Sequence, residues 1–130
     1  MPLTAQDLVA QARAAVEEID AARLRELQAA GVAVIDVREP GEFAEGRIPG
    51  AVNIPRGVLE FQVDGHPAVN CTRDEHLSHR EAPVIVYCRT GGRSALAAES
   101  LKRLGFAQPL SLAGGWLRWR EDGGAAETVS

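Results

Sequence analysis

The segment 84-VIVYCRTGGRSALAAESLKRLGF-106 decides the fold class. Its first four residues are apolar and follow a proline, which predicts a short buried strand. From residue 94 to residue 104 the apolar positions follow helical spacing, and Gly105 marks the end of that helix. A strand that passes through a glycine-rich turn into a helix is the repeating unit of a parallel α/β sheet.

The remainder of the chain continues this alternation. Thr4 and Asp20 are typical N-cap residues, and each precedes a run with helical spacing. Further strands are predicted at residues 32–37, 48–55 and 109–112, and further helices at 40–46, 58–61, 72–79 and 115–121. Because the strands are separated by helices, the sheet is expected to be mainly parallel, with helices on both faces.

The length of 130 residues fits one domain. We expect a helical N-terminal extension over residues 1–15, a main domain over 16–121 and a flexible C-terminal tail over 122–130. The small polar residues of the tail offer nothing for a core.

Charge and hydropathy exclude several classes of function. The net charge is −4 and no basic tract occurs, so nucleic-acid binding is not expected. No apolar run approaches the ~18 residues of a membrane helix, and the first residues do not resemble a signal peptide. A cytoplasmic location is therefore expected. Two cysteines in such a chain favour thiol chemistry or burial over a disulfide framework.

Cys88 follows its strand at the carboxyl end, the edge at which open α/β sheets bind ligands. The helix that comes next presents unpaired N–H groups and a partial positive charge, which stabilise a thiolate. Gly91 and Gly92 allow the backbone to turn N–H groups inward as an anion-binding nest. Arg89 and Arg93 add charge that favours the ionised thiol. These residues predict a cysteine nucleophile; a small buried side chain is the alternative.

Four motifs occur in order along the chain: 35-IDVREPGEF-43, 46-GRIPGAVNIP-55, 84-VIVYCRTGGRS-94 and 112-LAGGWLRW-119. In this order they resemble the rhodanese superfamily, whose members transfer sulfane sulfur through a cysteine persulfide. The resemblance implies a three-layer rhodanese-like fold, in which a five-stranded sheet lies between helices, with an added N-terminal helix.

The resemblance also implies a reaction in two steps. Cys88 attacks the outer sulfur of a small donor anion such as thiosulfate, sulfite leaves, and a thiol, cyanide or a partner protein accepts the sulfur. No cofactor, metal, nucleic acid or membrane takes part in this scheme. The substrate-binding residues would be those of the loop, namely Arg89, Thr90, Gly91, Gly92 and Arg93.

Two positions differ from the mammalian thiosulfate-using enzymes. Thr90 stands where their loop has a lysine, and Glu42 stands near the position of an arginine. Both differences remove positive charge that would hold thiosulfate, so the identity of the donor is left open.

Asp36 and Arg38 end a predicted strand on the same edge as Cys88 and are assigned a supporting role. Asp36 would either pair with an arginine of the loop, such as Arg93, or belong to an ordinary structural ion pair. Arg89 is expected to be the freer loop arginine, facing solvent and substrate.

A cluster of possible zinc ligands follows residue 65: His66, Cys71, His76 and His79. Their spacing matches no common zinc motif, which favours surface histidines over a metal site. Cys71 would be a loop thiol, or alternatively would resolve the persulfide of Cys88.

Three functions compete. A sulfurtransferase is favoured over a small phosphatase or arsenate reductase, because only four residues separate Cys88 from Arg93 and the phosphatase loop has five. A six-residue loop suits one sulfur atom better than a tetrahedral phosphate. The third alternative is a non-catalytic rhodanese-like module that carries sulfur or regulates a partner.

Overall fold

The protein, a computed structural model, is described over residues 2–66, 69 and 80–128. Its centre is a five-stranded sheet in which every pair of neighbouring strands is parallel, in the order β1-β5-β4-β2-β3. The strands are β1 (Glu17–Ile19), β2 (Ala33–Asp36), β3 (Val52–Asn53), β4 (Val84–Tyr87) and β5 (Pro109–Leu112). The parallel α/β sheet predicted from the sequence is therefore confirmed.

Helices cover both faces of this sheet. They are α1 (Ala5–Ala15), α2 (Ala21–Ala29), α3 (Pro40–Glu45), α4 (Leu59–Gln62), α5 (Gly92–Arg103) and α6 (Gly115–Glu121), with 3₁₀ turns at Arg56–Val58 and Val63–Gly65. Alternate strand residues divide the core in two. Ile35, Val86 and Cys88 face α4 and α5, whereas Val34 and Tyr87 face α2, α3 and α6.

The predicted helix starts are confirmed in detail. Thr4 accepts a hydrogen bond from the Asp7 amide while Asp7 accepts one from the Thr4 amide, which is a capping box. Asp20 caps α2 through the amide of Arg23 at 2.8 Å. Strand β1, in contrast, was not predicted from its residues, because Glu17 and Glu18 are exposed and only Ile19 is buried.

The N-terminal helix packs along α5, with Ala12 fully buried between them. Lys102 fixes this contact, since its ammonium donates to the carbonyl of Ala15 at 2.8 Å. Val9 reaches the start of α5, where its side chain lies 3.6 Å from an ideal Cβ position on Gly92. The extension is thus packed against the helix that begins at the active loop.

Part of the C-terminal segment contacts the main body. Glu127 forms an antiparallel bridge with Arg47, with both backbone hydrogen bonds at 2.9 Å. The indole of Trp119 donates to the carbonyl of Ala125 at 2.7 Å, and the Gly124 amide donates to the backbone carbonyl of Trp119 at 2.8 Å. These contacts cover residues 124–127 of the tail; its flexibility stays a prediction.

The longest helix in the described part of the chain is α5, with 12 residues. None of the helices described is both long and apolar enough to span a bilayer.

Candidate active site

Cys88 lies one residue beyond β4, and its side chain is almost fully buried, with 1% of the residue exposed. Two backbone amides point at its sulfur: Gly91 N is 3.1 Å from Sγ and Ser94 N is 3.4 Å from it. Gly91 has φ of 108°, a conformation that glycine adopts without strain. The loop therefore presents N–H donors to one sulfur atom at the N-terminus of α5, as the sequence suggested.

Two buried serines lie behind the thiol, and sequence reasoning did not select either of them. The Cys88 thiol donates to Ser94 Oγ at 3.6 Å, and Ser94 Oγ lies 2.8 Å from Ser111 Oγ. Ser94 also donates to the carbonyl of Gly91 at 3.2 Å. Ser94 was visible as the residue after the arginine of the loop motif, whereas Ser111 is brought in by strand β5.

The carbonyl groups of the first two loop residues, Cys88 and Arg89, are bound by α6. Cys88 O accepts the Trp116 amide at 2.8 Å, and Arg89 O accepts the Leu117 amide at 3.1 Å. The first turn of α6 thereby finds acceptors for amides that have no partner within the helix. Because these carbonyls are held by α6, the amides of the loop are free to face the sulfur.

Gly115 makes this contact between loop and helix possible. A Cβ at Gly115 would lie 2.5 Å from Cys88 O and 2.7 Å from Arg89 O, which is far inside van der Waals contact. Its φ of 57° also favours glycine.

Replacing Gly115 by alanine is expected to lower the free energy of unfolding by ~2–4 kcal/mol, from overpacking and left-handed strain together. Sulfur transfer should fall as well, because the loop must shift. Chemical denaturation and a thiosulfate:cyanide assay would measure both. Gly41→Ala is the control, since nothing lies within 4 Å of a Cβ there. An active Gly115→Ala variant with native stability would show that the loop tolerates the displacement.

Arg93 does not reach Asp36; its partner is Glu42 on α3. The guanidinium makes two hydrogen bonds to that carboxylate, of 2.8 and 3.1 Å. The idea that Arg93 ties the loop to Asp36 is therefore wrong. Hydrogen bonds from Arg93 lower the pKa of Glu42 to about 2, from an ordinary value of 4.5.

This ion pair gives a specific dependence of stability on pH. Since the folded pKa of Glu42 lies below the ordinary value, the pair stabilises the fold above about pH 4.5 and loses that effect as the pH falls towards about 2. The stability difference between the unmodified chain and Glu42→Gln should be constant from about pH 8 to 5 and shrink at lower pH. Urea unfolding across this range checks it; a difference that does not change down to pH 2 would contradict the assignment.

Asp36 and Arg38 form the ordinary structural ion pair that was the alternative. Arg38 donates to both carboxylate oxygens of Asp36, at distances of 2.6–3.0 Å, and also to the carbonyl of Gly46. Its guanidinium lies 5.1 Å from the ring centre of Trp116 and 5.6 Å from that of Tyr87. The buried pair therefore contacts Trp116, whose amide binds the carbonyl of Cys88; its supporting role stays a prediction.

Two of the other predicted loop residues lie at the surface. Arg89 and Thr90 are exposed, and among the described residues no side-chain hydrogen bond to Arg89 is formed. This agrees with the expectation that Arg89 faces solvent. Gly92 begins α5.

A further arginine approaches the loop from the N-terminal extension. Arg13 Nη2 lies 3.1 Å from an ideal Cβ position on Gly91. Sequence reasoning did not connect this helix with the site.

Cys71, His76 and His79, three members of the cluster weighed as zinc ligands, lie outside the described residues. Among residues 2–66, 69 and 80–128, no group of three or more histidine, cysteine or acidic side chains is placed to hold a metal ion. The role of Cys71 stays a prediction.

The chain also matches a known domain family. A family model for the rhodanese-like domain matches residues 20–122, which contain strands β2 to β5 and the cysteine loop. The chain belongs to the rhodanese family. The resemblance inferred from the four sequence motifs is thereby confirmed.

Relatives of this rhodanese include proteins named as enzymes. A sulfurtransferase of Allochromatium vinosum is 31% identical over 110 residues, which are 83% of this chain and 92% of the relative. A human thiosulfate:glutathione sulfurtransferase is 34% identical over 108 residues, covering 75% of this chain and 88% of the relative. These names support an enzyme of the sulfurtransferase type.

One solved structure spans almost the whole rhodanese chain. A Rhodopseudomonas palustris protein of unknown function, described as a "possible tyrosine phosphatase", has a TM-score of 0.77 and 30% identity. The match covers 98% of this chain and 99% of that one. That description names the same class of enzyme, a phosphatase, that the sequence left as an alternative to a sulfurtransferase.

Proposed function

We propose that this rhodanese is a sulfurtransferase that carries sulfane sulfur as a persulfide on Cys88. The observation that supports this most directly is the convergence of the Gly91 and Ser94 amides on one buried sulfur, Cys88 Sγ. Such donors stabilise both an attacking thiolate and the persulfide that replaces it.

The first half-reaction loads the cysteine. The Cys88 thiolate attacks the outer sulfur of the donor, a new S–S bond forms, and the bond between donor and sulfur breaks with its electron pair on the leaving group. With thiosulfate the leaving group is sulfite. In the second half-reaction, an acceptor thiolate or cyanide attacks the terminal sulfur of the persulfide, and the Cys88 thiolate is released.

The surroundings of Cys88 suit this chemistry. The thiol donates to Ser94, which Ser111 holds through a second hydrogen bond, and α6 binds the carbonyls of Cys88 and Arg89. Arg89 is exposed and attracts an anionic donor to the loop.

A phosphatase reaction is supported less well. Phosphoryl transfer requires a cationic group at the transferred oxygens. In this chain the arginine that ends the loop, Arg93, has both ends of its guanidinium on Glu42. The six-residue spacing from Cys88 to Arg93 also argues for a sulfur-sized site.

Mass spectrometry tests the proposal directly. The purified chain is incubated with thiosulfate or with glutathione persulfide, and its cysteine peptides are analysed. We expect an addition of ~32 Da, one sulfur atom, on the Cys88 peptide, which dithiothreitol removes. Absence of the adduct with both donors, together with Cys88-dependent hydrolysis of p-nitrophenyl phosphate, would replace this proposal with the phosphatase.

A further inference from the structure

Arg93, the cation beside the cysteine loop that could bind an oxyanion, is already paired with Glu42. Both terminal nitrogens of Arg93 bind the two oxygens of Glu42, at 2.8 and 3.1 Å, which is the strongest geometry for this pair. The Glu39 amide donates to the same carboxylate at 3.1 Å and so fixes its position at the start of α3. Arg93 is thus held by α3 and is not presented to the donor.

The pairing of Arg93 with Glu42 is expected to disfavour the binding of one class of sulfur donor and to leave the other unaffected. Thiosulfate carries two negative charges, shared between its outer sulfur and the three oxygens of the end that leaves as sulfite. To use Arg93, it would have to displace the Glu42 carboxylate, which would then repel it at short range. The persulfide of a thiol requires no oxyanion site, because the charge on its reacting end sits on the one sulfur that is transferred.

We propose that Glu42 is a specificity-determining residue: it withholds Arg93 from oxyanion donors, so that the site takes its sulfur from a thiol-borne persulfide in preference to thiosulfate. This rests on the proposed function, since it presupposes that Cys88 accepts sulfur. The hydrogen bonds to Cys88 support the proposal, because the Gly91 and Ser94 amides both point at a single sulfur atom. Arg89 attracts either donor, since both are anions.

The loading step balances without any other reactant. The Cys88 thiolate attacks the terminal sulfur of the persulfide R–S–S⁻ and forms a new S–S bond. The original S–S bond breaks, and its electron pair leaves with R–S⁻. One thiolate and one persulfide anion are consumed, and one thiolate and one persulfide anion are produced, so no oxidant or reductant is needed.

The test compares the two donors in three proteins: the unmodified chain, Glu42→Gln and Glu26→Gln. Glutamine keeps an oxygen that can accept the Glu39 amide but removes the charge from the partner of Arg93. Glu26→Gln is the control, because it changes the net charge equally in an exposed pair on α2. In a ping-pong scheme, kcat/KM for the donor reports on the first half-reaction alone, so cyanide can serve as the acceptor throughout.

We expect the unmodified chain to have a higher kcat/KM for glutathione persulfide than for thiosulfate. In Glu42→Gln, kcat/KM for thiosulfate should rise at least about fivefold, while the value for the persulfide changes less than about twofold. Glu26→Gln should change both values by less than about twofold.

Two results would overturn the proposal while leaving a sulfurtransferase intact. One is an unmodified chain that prefers thiosulfate, and the other is a Glu42→Gln variant whose ratio between the donors is unchanged or shifted towards the persulfide. An unmodified chain that takes sulfur from neither donor contradicts the proposed function itself, and this proposal with it.

Discussion

Replacing Cys88 by serine is expected to abolish sulfur transfer, with a loss of at least about 10³-fold in kcat/KM. A serine hydroxyl is not appreciably ionised at neutral pH and has no sulfur on which to form a persulfide. The substitution is nearly isosteric in a site that is 1% exposed, so the fold should be retained. A thiosulfate:cyanide assay, with unfolding curves recorded in parallel, checks both statements.

Cys71→Ser is the matched control, because it removes the other thiol of the chain. We expect most of the activity to remain in that variant, since Cys71 is predicted to take no part in the reaction. Full activity in Cys88→Ser would disprove the mechanism. Equal losses in the two variants would instead assign the sulfur to a cysteine pair.

Replacing Asp36 by asparagine is expected to cost ~3–5 kcal/mol of stability, because it leaves a buried guanidinium without its counter-charge. Arg38 is 3% exposed, and its backbone amide and side chain both donate to Asp36. Asparagine has one acceptor oxygen, and its amide group would face the guanidinium with donors. The midpoint of urea unfolding should shift accordingly.

A similar substitution in an exposed pair should have little effect. Asp122 lies 3.4 Å from Arg118, and both side chains are largely solvent-exposed. Asp122→Asn is therefore expected to change stability by less than about 1 kcal/mol. If Asp36→Asn were as mild as this control, water would have to reach Arg38, and the buried pair would not support the loop through Trp116.

The parts of the fold that depend on local pattern could be predicted from the sequence. Strand β4 and helix α5 have the bounds that their apolar spacing indicated, give or take two residues, and Asp20 marks the start of α2. The loop that carries Cys88 was predicted for the same reason, since its position depends only on a strand, two glycines and a helix.

The contacts that complete the site depend on tertiary structure and could not be predicted in this way. Glu42 and Arg93 are 51 residues apart, and their pairing follows from where α3 lies against the loop. Ser111 reaches Ser94 only because β5 lies beside β4. Strand β1 has too little apolar character to be recognised before its pairing with β5 is known.

The hydrogen bonds from α6 to the loop carbonyls also determine how the site moves. Cys88 O and Arg89 O are bound by consecutive amides of one helix, those of Trp116 and Leu117, and Gly115 leaves no gap between them. We therefore expect Cys88 and Arg89 to move away from α6 only when that helix undocks, which is a subglobal unfolding event rather than a nanosecond loop motion. Amide hydrogen exchange at Trp116 and Leu117 is thus expected to report how often the cysteine loop separates from α6, at two positions outside the loop itself.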